Sequence, residues 1–422
     1  MAAFSYQKGE LYTENLPVHY IAQQVQTPFY CYAQSHILQQ INAYQKAFRT
    51  NDLIAYALKA NSNQAILSLI AKQNAGADIV SQGELRRALA AKFLPEKIIY
   101  SGVGKTVEDI DYALSQNIKC FNIESVEEFY QIEKRAKNAG TKAPISLRIN
   151  PDVDAKTHEK IATGKAENKF GIPLKSALEI YKIANKSENI QIKGIDIHIG
   201  SQICSLEPFH TAFQRTNDFI RTLYQENIQL SHIDIGGGLG IKYKEEDAPP
   251  SIEDYALCAQ KYFTPLNLDI ICEPGRNIVG NAGILVTKVL YVKKTKTKNF
   301  IIVDAAMNDL IRPTLYNAWQ EIIPIKPQEN ETKILADIVG PVCETGDYLG
   351  LDRHIIEPKP GDLLAIMSAG AYGAVMANNY NSRLLIPEIL VHNKQYAIIR
   401  ERPSYQQMIQ QDKIPNWLIE NS

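Results

Sequence analysis

From about residue 53 to 273, short apolar runs rich in β-branched and aromatic residues alternate with stretches of helical period, and this alternation limits what the chain can fold into. The runs lie at 53–58, 77–80, 97–100, 120–123, 145–149, 194–199, 232–235 and 269–272. Between them, helical periodicity marks 64–73, 83–92, 107–116, 126–138, 174–185 and 209–224. Strands about 25 residues apart, each followed by a helix, imply parallel βαβ units, and eight of them imply a closed (β/α)8 TIM barrel. The competing arrangement is an open doubly wound sheet. One connection, 151–191, is too long for a simple helix. Its polar first part, "PDVDAKTHEKIATGKAENKFGI", contains Gly164 and Gly171 and is expected to be a lid or binding loop above the barrel mouth, with His158 a surface or packing residue.

After about Gly283 the pattern changes. "ILVTKVLYVKK", "NFIIVDAA", "KILADIVG", "DLLAIMSAG", "LLIPEILV" and "QYAIIRER" read as strands separated by turn signals. A C-terminal all-β domain, a β-barrel or β-sandwich, is therefore expected over 283–422, after a barrel over 33–282. The extended segment before residue 33 ("TPFYCY") is expected to pack with the β domain, making that domain discontinuous in sequence. A chain of 422 residues has room for both.

Charge and cysteine usage exclude several function classes. Lys+Arg 45 against Asp+Glu 46 leaves a formal charge of -1, which argues against a nucleic-acid or membrane-surface role. The six cysteines (Cys31, Cys120, Cys204, Cys258, Cys272 and Cys343) form no CxxC pair and no metal-ligand spacing with histidine. Neither a disulfide framework nor a bound metal is expected, and a reducing cytoplasm is the natural location. No secretory signal or membrane-span-length apolar run is visible.

In a TIM barrel the active site lies at the C-terminal ends of the strands. Several unusual residues fall there: Lys59 in "YALKAN", Asp78 to Ser81, His198 in "DIHIGSQ", the run "GGGLG" (236–240) and Glu273 in "EPGR". A lysine among apolar residues has a depressed pKa and can form an imine, although a lone strand-end lysine is more often merely solvated. A glycine run lets backbone N–H groups approach a phosphate, although by itself it is also a tight turn, and its spacing does not match G-x-G-x-x-G. Glu273 can keep a pyridine nitrogen protonated, or else pair with Arg276. His198 can stack on a ring or sit as a satisfied core histidine. An imine-forming lysine, a phosphate cradle and a pyridinium partner together specify pyridoxal 5'-phosphate.

The motifs "YALKAN", "DIVSQGEL", "HIGSQI", "DIGGGLG", "EPGR", "MNDLIRPTLYNAW", "CETGD" and "GAYGAVMANNYN" occur in this order. On them the chain resembles the fold-type III pyridoxal-phosphate decarboxylases over nearly its whole length, and most of all the diaminopimelate decarboxylases. The last three motifs are the specific ones. Mild departures are Ala306 where glycine is common, Val375 where a small polar residue is common, and "SRLLIPEIL" after "NNYN".

The resemblance implies decarboxylation of meso-2,6-diaminopimelate to L-lysine and carbon dioxide, the last step of lysine biosynthesis. It also implies a homodimer whose active sites each borrow residues from the neighbouring subunit. By the same similarity Lys59 carries the cofactor, His198 stacks on the pyridine face, and Glu273 pairs with the ring nitrogen. Gly238, the backbone at Gly275–Arg276 and Tyr372 hold the phosphate, and Asp78, Ser201 and Gly237 complete the cofactor set. Arg276, Arg312, Tyr316 and Tyr372 bind substrate, Glu344 takes the distal ammonium, and Cys343 from the partner subunit gives the proton to Cα. Arginine suits a distal carboxylate because its planar fork binds carboxylates in a bidentate way. Arg312 and Tyr316 lie at i,i+4, with Pro313 placing the expected start of a helix there. Cys343 is otherwise a small buried hydrophobe, and Tyr372 and Arg312 otherwise interface packing. Three alternatives stand beside this reading: a decarboxylase for ornithine, arginine or lysine, an alanine-racemase-like enzyme, which Glu273 argues against, and a catalytically inactive regulatory relative.

Overall fold

The computed structural model describes residues 2–154, 169–327 and 332–419. His158, Gly164 and most of the expected lid loop lie outside the described residues. The chain divides into two compact units, Ser35–Ala282 and Met1–Gln34 with Gly283–Ser422.

The first unit is an eight-stranded barrel. Its strands are β1 (Leu53–Ala57), β2 (Gly76–Ile79), β3 (Ile98–Tyr100), β4 (Cys120–Ile123), β5 (Ala143–Arg148), β6 (Ile190–Asp196), β7 (His232–Asp234) and β8 (Asp269–Cys272). They pair in parallel in chain order, and β8 closes the barrel on β1 through Ile271↔Leu53 and Cys272↔Ile54. The open doubly wound sheet is thereby excluded.

Several of the helices between strands start where the βα turns supply a capping oxygen. Ser81, Ser125 and Ser251 accept from the amides of Glu84, Glu128 and Asp254, and Thr106 forms a reciprocal capping box with Asp109. Each helix then buries one stripe: Phe129, Ile132 and Ala136 in Val126–Asn138, and Phe209, Phe213, Ile220 and Leu223 in Glu207–Gln225. Five strands stop earlier than their apolar runs, and two of these ends bear on the site. β1 ends at Ala57, paired with Asp78, and Lys59 falls in the 3-10 turn Leu58–Ala60, because the chain must turn there to reach the helix capped by Asn63. β6 ends at Asp196, so His198 stands just beyond the strand.

The barrel interior is not wholly apolar. At the start of β7, away from the C-terminal rim, His232 Nε2 lies 2.9 Å from Ser146 Oγ, which lies 3.0 Å from Cys120 Sγ. Gly194 makes room for this chain: a Cβ there would come within 2.5 Å of His232 Nε2.

The second unit is built on a nine-stranded mixed sheet. Along its main path the strands are Tyr348–Ile356, Lys333–Val339, Asn299–Val303, Gly283–Lys294, Phe29–Ala33, Glu388–His392 and Gln395–Arg400, with Ile322–Pro324 and Leu363–Ile366 attached through Gly283–Lys294. Phe29–Ala33 is buried on both faces, as five consecutive residues without polar alternation require of a central strand. It pairs antiparallel with Gly283–Lys294 and parallel with Glu388–His392. The expected β domain is thus built on this sheet, and apolar spacing at Val18, Ile21, Ala22 and Val25 makes Val18–Val25 a helix that packs on it. The helix Arg312–Tyr316 starts one residue before Pro313, since a proline in the first turn lacks only an N–H that the helix does not use. Among the described residues no helix is long and apolar enough to cross a membrane.

Burial, reinforced by Lys119 and Lys193, pushes the His232 imidazole down to about 3. Below the ordinary histidine pKa the unfolded chain takes up a proton that the folded chain refuses until about pH 3. Stability therefore falls with falling pH in that window, by up to about 1.4 kcal/mol per pH unit. His232→Gln, which offers Ser146 a hydrogen bond but cannot titrate, should show a shallower fall of melting temperature between pH 6.5 and 5 than the parent.

Candidate active site

The C-terminal rim of the barrel collects charged groups from most of its strands. Lys59, in the turn after β1, places Nζ 2.6 Å from Asp78 Oδ2 on β2. The register that pairs Ala57 with Asp78 brings them together. Asp78 is fully buried, whereas the Lys59 side chain keeps about a third of its surface (34%) open at the mouth. Asp196 ends β6, Asp234 ends β7 and Glu273 follows β8, and all three are buried.

Buried carboxylates with few cations among them cannot all ionise. Burial first, then Asp234, Asp78 and Asp196, hold the Glu273 carboxyl well above its ordinary range. Asp234 is pushed up to about 6 by burial, against the hydrogen bonds it accepts. Asn122 links the group by donating to Asp234 Oδ2 and to Ser101 Oγ, both at 3.2 Å, and Ser101 Oγ lies 3.5 Å from Glu273 Oε1. The fixed cation here is Arg148 at the end of β5. It donates to Glu124 Oε1 at 2.9 Å and to the His198 carbonyl at 3.4 Å, and lies 3.9 Å from Asp196 Oδ2.

His198 stands against the glycine loop. Its Nδ1 accepts the Gly237 N–H at 3.2 Å, so a neutral ring carries its proton on Nε2. Burial, then Arg148 and Lys59, push its pKa well below the ordinary value and keep it neutral. In the loop, Gly236 and Gly238 adopt φ of +63° and +106°, and a Cβ on Gly238 would come within 2.5 Å of the Gly200 carbonyl. The Gly236 amide is committed to Asp234 and that of Gly237 to His198, which leaves the Gly238 amide for an outside acceptor. Beside them Arg276 donates to Ser201 Oγ at 3.0 Å and Tyr243 Oη at 2.6 Å. Gly275 packs on Ala57 and Ala60, bringing the turn into Arg276–Val279 close to the Lys59 turn.

This donor set fits pyridoxal phosphate. The open-sided amine suits the aldehyde, the glycine amide with Arg276 and Ser201 suits the phosphate, and a buried carboxyl together with a neutral imidazole suits a pyridine ring.

In the second unit the three specific motifs are knitted into one cluster. Asp347, buried, accepts from the amides of Met307 at 2.7 Å and Val342 at 2.6 Å. Thr314 Oγ1 donates to the Gly346 carbonyl at 2.6 Å. These bonds hold the helix of Arg312 and Tyr316 beside the turn of Cys343 and Glu344. The Arg312 guanidinium sits 5.9 Å from the centre of the Tyr316 ring. Cys343 is exposed, so it is not a buried filler, and its amide donates to Asn381 Oδ1 at 3.1 Å. The Tyr380 hydroxyl hydrogen bonds the Glu344 carboxylate. Tyr372 sits on a separate turn, at φ +55° between buried Ala371 and Gly373. Ala306, one of the departures from the usual pattern, fills a small cluster with Met307 and Val342.

Reading the sequence missed Ser101, Asn122, Glu124, Arg148, Asp234, Tyr243 and Asp347. Arg148 and Asp234 carried a signal, since each is a charged residue closing an apolar run at the same rim. Asp347 stood in the "CETGD" motif without a role of its own, and Asn122 carried no signal, because only its pairing gives it a task.

Comparison with known proteins defines the class. Residues 34–280 match the model for the pyridoxal-binding domain of pyridoxal-dependent decarboxylases, so the barrel unit is a pyridoxal-phosphate-binding domain. The diaminopimelate decarboxylase of Zymomonas mobilis is 46% identical over 99% of this chain and 100% of its own length. That of Vibrio cholerae is 47% identical over 95% and 96%. The crystal structure of the Helicobacter pylori diaminopimelate decarboxylase complexed with L-lysine superposes with a TM-score of 0.90 at 44% identity, covering 93% of this chain and 98% of that one. The chain belongs to the diaminopimelate decarboxylase family.

Arg148 and Glu124 are both almost fully buried, with side chains 8% and 1% exposed. Arg148→Met strands the carboxylates of Glu124 and Asp196, and should destabilise the barrel by about 3–5 kcal/mol. The double variant Arg148→Met/Glu124→Gln should recover part of the loss in melting temperature, which a double-mutant cycle measures directly.

Proposed function

We propose that the rim residues of the barrel and the Arg312–Glu344 cluster carry out the family's reaction, the pyridoxal-phosphate-dependent decarboxylation of meso-2,6-diaminopimelate to L-lysine and carbon dioxide. This is the last step of lysine biosynthesis. The observation that carries the reading is the convergence of Lys59, His198, the 236–238 glycines and Glu273 at one end of a closed barrel. When bound, pyridoxal phosphate supplies the sink for the electron pair that departing carbon dioxide leaves at Cα.

The remaining tasks fall to this chain's side chains. The Lys59 amine anchors the cofactor and yields its place to the substrate amine. Asp78, its buried partner, holds that amine at the mouth. The neutral His198 ring packs on the pyridine face without setting a second positive charge against it. The Gly238 amide, the backbone at Gly275, Arg276, Ser201 and Tyr372 hold the phosphate, and Gly237 fixes His198. Glu273 keeps a proton on the ring nitrogen. A carboxyl whose neighbours make it basic suits that task, because a basic partner and a negative surrounding both favour a protonated ring.

Diaminopimelate carries an amino acid at each end, so its distal end needs both a cation and an acid. Arg312, with Tyr316, Arg276 and Tyr372 assisting, takes a carboxylate, and Glu344 takes the distal ammonium. A site for ornithine or lysine would want the acid alone. Cys343 Sγ, exposed on its turn, delivers the proton that replaces carbon dioxide on Cα. In this reading the protein is a homodimer, and the partner subunit's Cys343 serves each Lys59. All six cysteines stand free, in keeping with a reducing cytoplasm.

Carbon dioxide release from diaminopimelate, ornithine, arginine and lysine tests the substrate directly. Diaminopimelate should be turned over far faster than the rest, and a preference for ornithine or lysine would refute the assignment. Lys59→Ala should lose the visible cofactor absorbance with nearly all activity. Arg312→Ala should cost on the order of 2–5 kcal/mol in kcat/KM for diaminopimelate and leave cofactor binding intact.

Subunit exchange tests the dimer. Lys59→Ala and Cys343→Ala proteins should each be inactive, but a mixed dimer would have one site with both lesions and one with neither. Random mixing should restore about one quarter of parental activity by two-fold symmetry. An inactive mixture, with exchange verified by mass, would place Cys343 in its own subunit's site or outside the chemistry.

A further inference from the structure

The central strand Phe29–Ala33 of the second unit has two different faces. Phe29, Cys31 and Ala33 enter the apolar core of that unit. Tyr30 and Tyr32 lie on the other face, fully buried, with their rings stacked in parallel at 6.2 Å and 4°. The Tyr32 hydroxyl donates to Glu388 Oε2 at 2.6 Å, and Glu388 pairs with Arg400, so this ring serves the edge of the sheet. The Tyr30 hydroxyl turns instead to the motif that carries Arg312 and Tyr316, donating to the Asp309 carbonyl at 2.6 Å. That carbonyl belongs to a tight turn. The amides of Asp309 and Leu310 both donate to the Ala306 carbonyl, at 2.9 and 3.1 Å, and Asp309 Oδ2 accepts the Ala306 amide at 2.9 Å. Ile311 follows as the N-cap of the Arg312–Tyr316 helix, with the Leu315 amide donating to its carbonyl at 2.9 Å. Only this short bonded stretch of backbone separates the Tyr30 contact from Arg312. The same ring borders the turn of Tyr372. A Cβ on Gly373 would come within 2.8 Å of Tyr30 Oη and 3.0 Å of Tyr30 Cε1. Tyr372 itself stands at φ +55°, which a residue with a side chain keeps only where its surroundings enforce it.

We propose that Tyr30 is a positioning residue: its hydroxyl sets the backbone that aims Arg312 at the substrate carboxylate, and its ring props the turn that presents Tyr372. The inference rests on the reading of Arg312 as a carboxylate ligand. Its physical content is rigidity. Tyr30 sits on a strand paired on both sides, opposite Leu285 and Glu388, so its phenol oxygen is a fixed point within the unit. A planar guanidinium grips a carboxylate well in one orientation only, and a small displacement weakens that grip. Without the hydroxyl, the buried Asp309 carbonyl loses this donor and the turn shifts to find another partner. A purely structural Tyr30 would fill space under the sheet and affect every ligand alike.

Competitive inhibition of diaminopimelate turnover tests this on the full holoenzyme. L-lysine carries a carboxylate beside one amine, and 1,5-diaminopentane is the same chain without it. The ratio of their inhibition constants therefore reads the carboxylate site alone. In the parent, L-lysine should bind at least about tenfold more tightly than 1,5-diaminopentane. Tyr30→Phe keeps the ring but cannot donate to Asp309. It should weaken L-lysine about tenfold, while 1,5-diaminopentane and the cofactor dissociation constant stay within about twofold. Tyr30→Leu also removes the ring beside Gly373, and should in addition weaken cofactor retention about tenfold. Tyr30→Phe preserves the packing, so it decides the role of the hydroxyl even if Tyr30→Leu fails to fold. An unchanged L-lysine constant in Tyr30→Phe, or equal weakening of both inhibitors, makes Tyr30 structural only and overturns the proposal. Unchanged cofactor retention in a folded Tyr30→Leu overturns the link to Tyr372. If the parent shows no preference for L-lysine, or Arg312→Ala keeps that preference, the failure lies in the underlying reading of Arg312.

Discussion

Five buried carboxylates, Asp78, Glu124, Asp196, Asp234 and Glu273, face two cations, Lys59 and Arg148, at the rim of the barrel. Two unit charges 4 Å apart interact by about 4 kcal/mol even at an effective dielectric of 20, so this imbalance is large on the scale of folding. The structure absorbs it in two ways. Lys59 and Arg148 each neutralise one side of the cluster, and burial holds the Asp196, Asp234 and Glu273 carboxyl groups above their ordinary range. The consequences run through the site: an amine held against Asp78, an imidazole kept neutral by burial and by the same cations, and a Glu273 carboxyl held well above its ordinary range.

The barrel makes this concentration possible. Parallel strands end together at one rim, so residues far apart in sequence arrive at one place without any loop having to carry them. Lys59 and Asp78 are neighbours because Ala57 pairs with Asp78, and Asp234 meets Asn122 across the closed interior. Glycine completes the arrangement where side chains would obstruct it. Gly236 and Gly238 take up left-handed conformations, and Gly194 leaves room for His232. The second unit solves a different problem by the same means. Asp347, with no charge partner in its own turn, uses both oxygens on backbone amides and so ties the Arg312 helix to the Cys343 turn.

Much of this was legible in the sequence. The eightfold alternation specified the barrel because strand and helix periods differ, and a parallel strand needs a crossover before the next can form. The special residues at the strand ends could be picked out because a lysine, a histidine, a glycine run and a glutamate are out of place at the close of apolar runs. The β-rich character after Gly283 followed from apolar runs bounded by turn residues.

What the sequence alone determined was therefore local: which segments are strands, which helices they alternate with, and which chemically active side chains stand at their ends. Only the tertiary structure decided protonation and partnership. Whether Glu273 pairs with Arg276 or stands among buried acids such as Asp234 depends on which groups are buried together, and 39 positions separate Glu273 from Asp234. Arg276 turns to Ser201 and Tyr243, and the charge environment of Glu273 comes from strands throughout the barrel. Electrostatic energy depends on distance and on the exclusion of water. Neither is a property of neighbouring residues in a chain, and both are fixed only when the barrel closes.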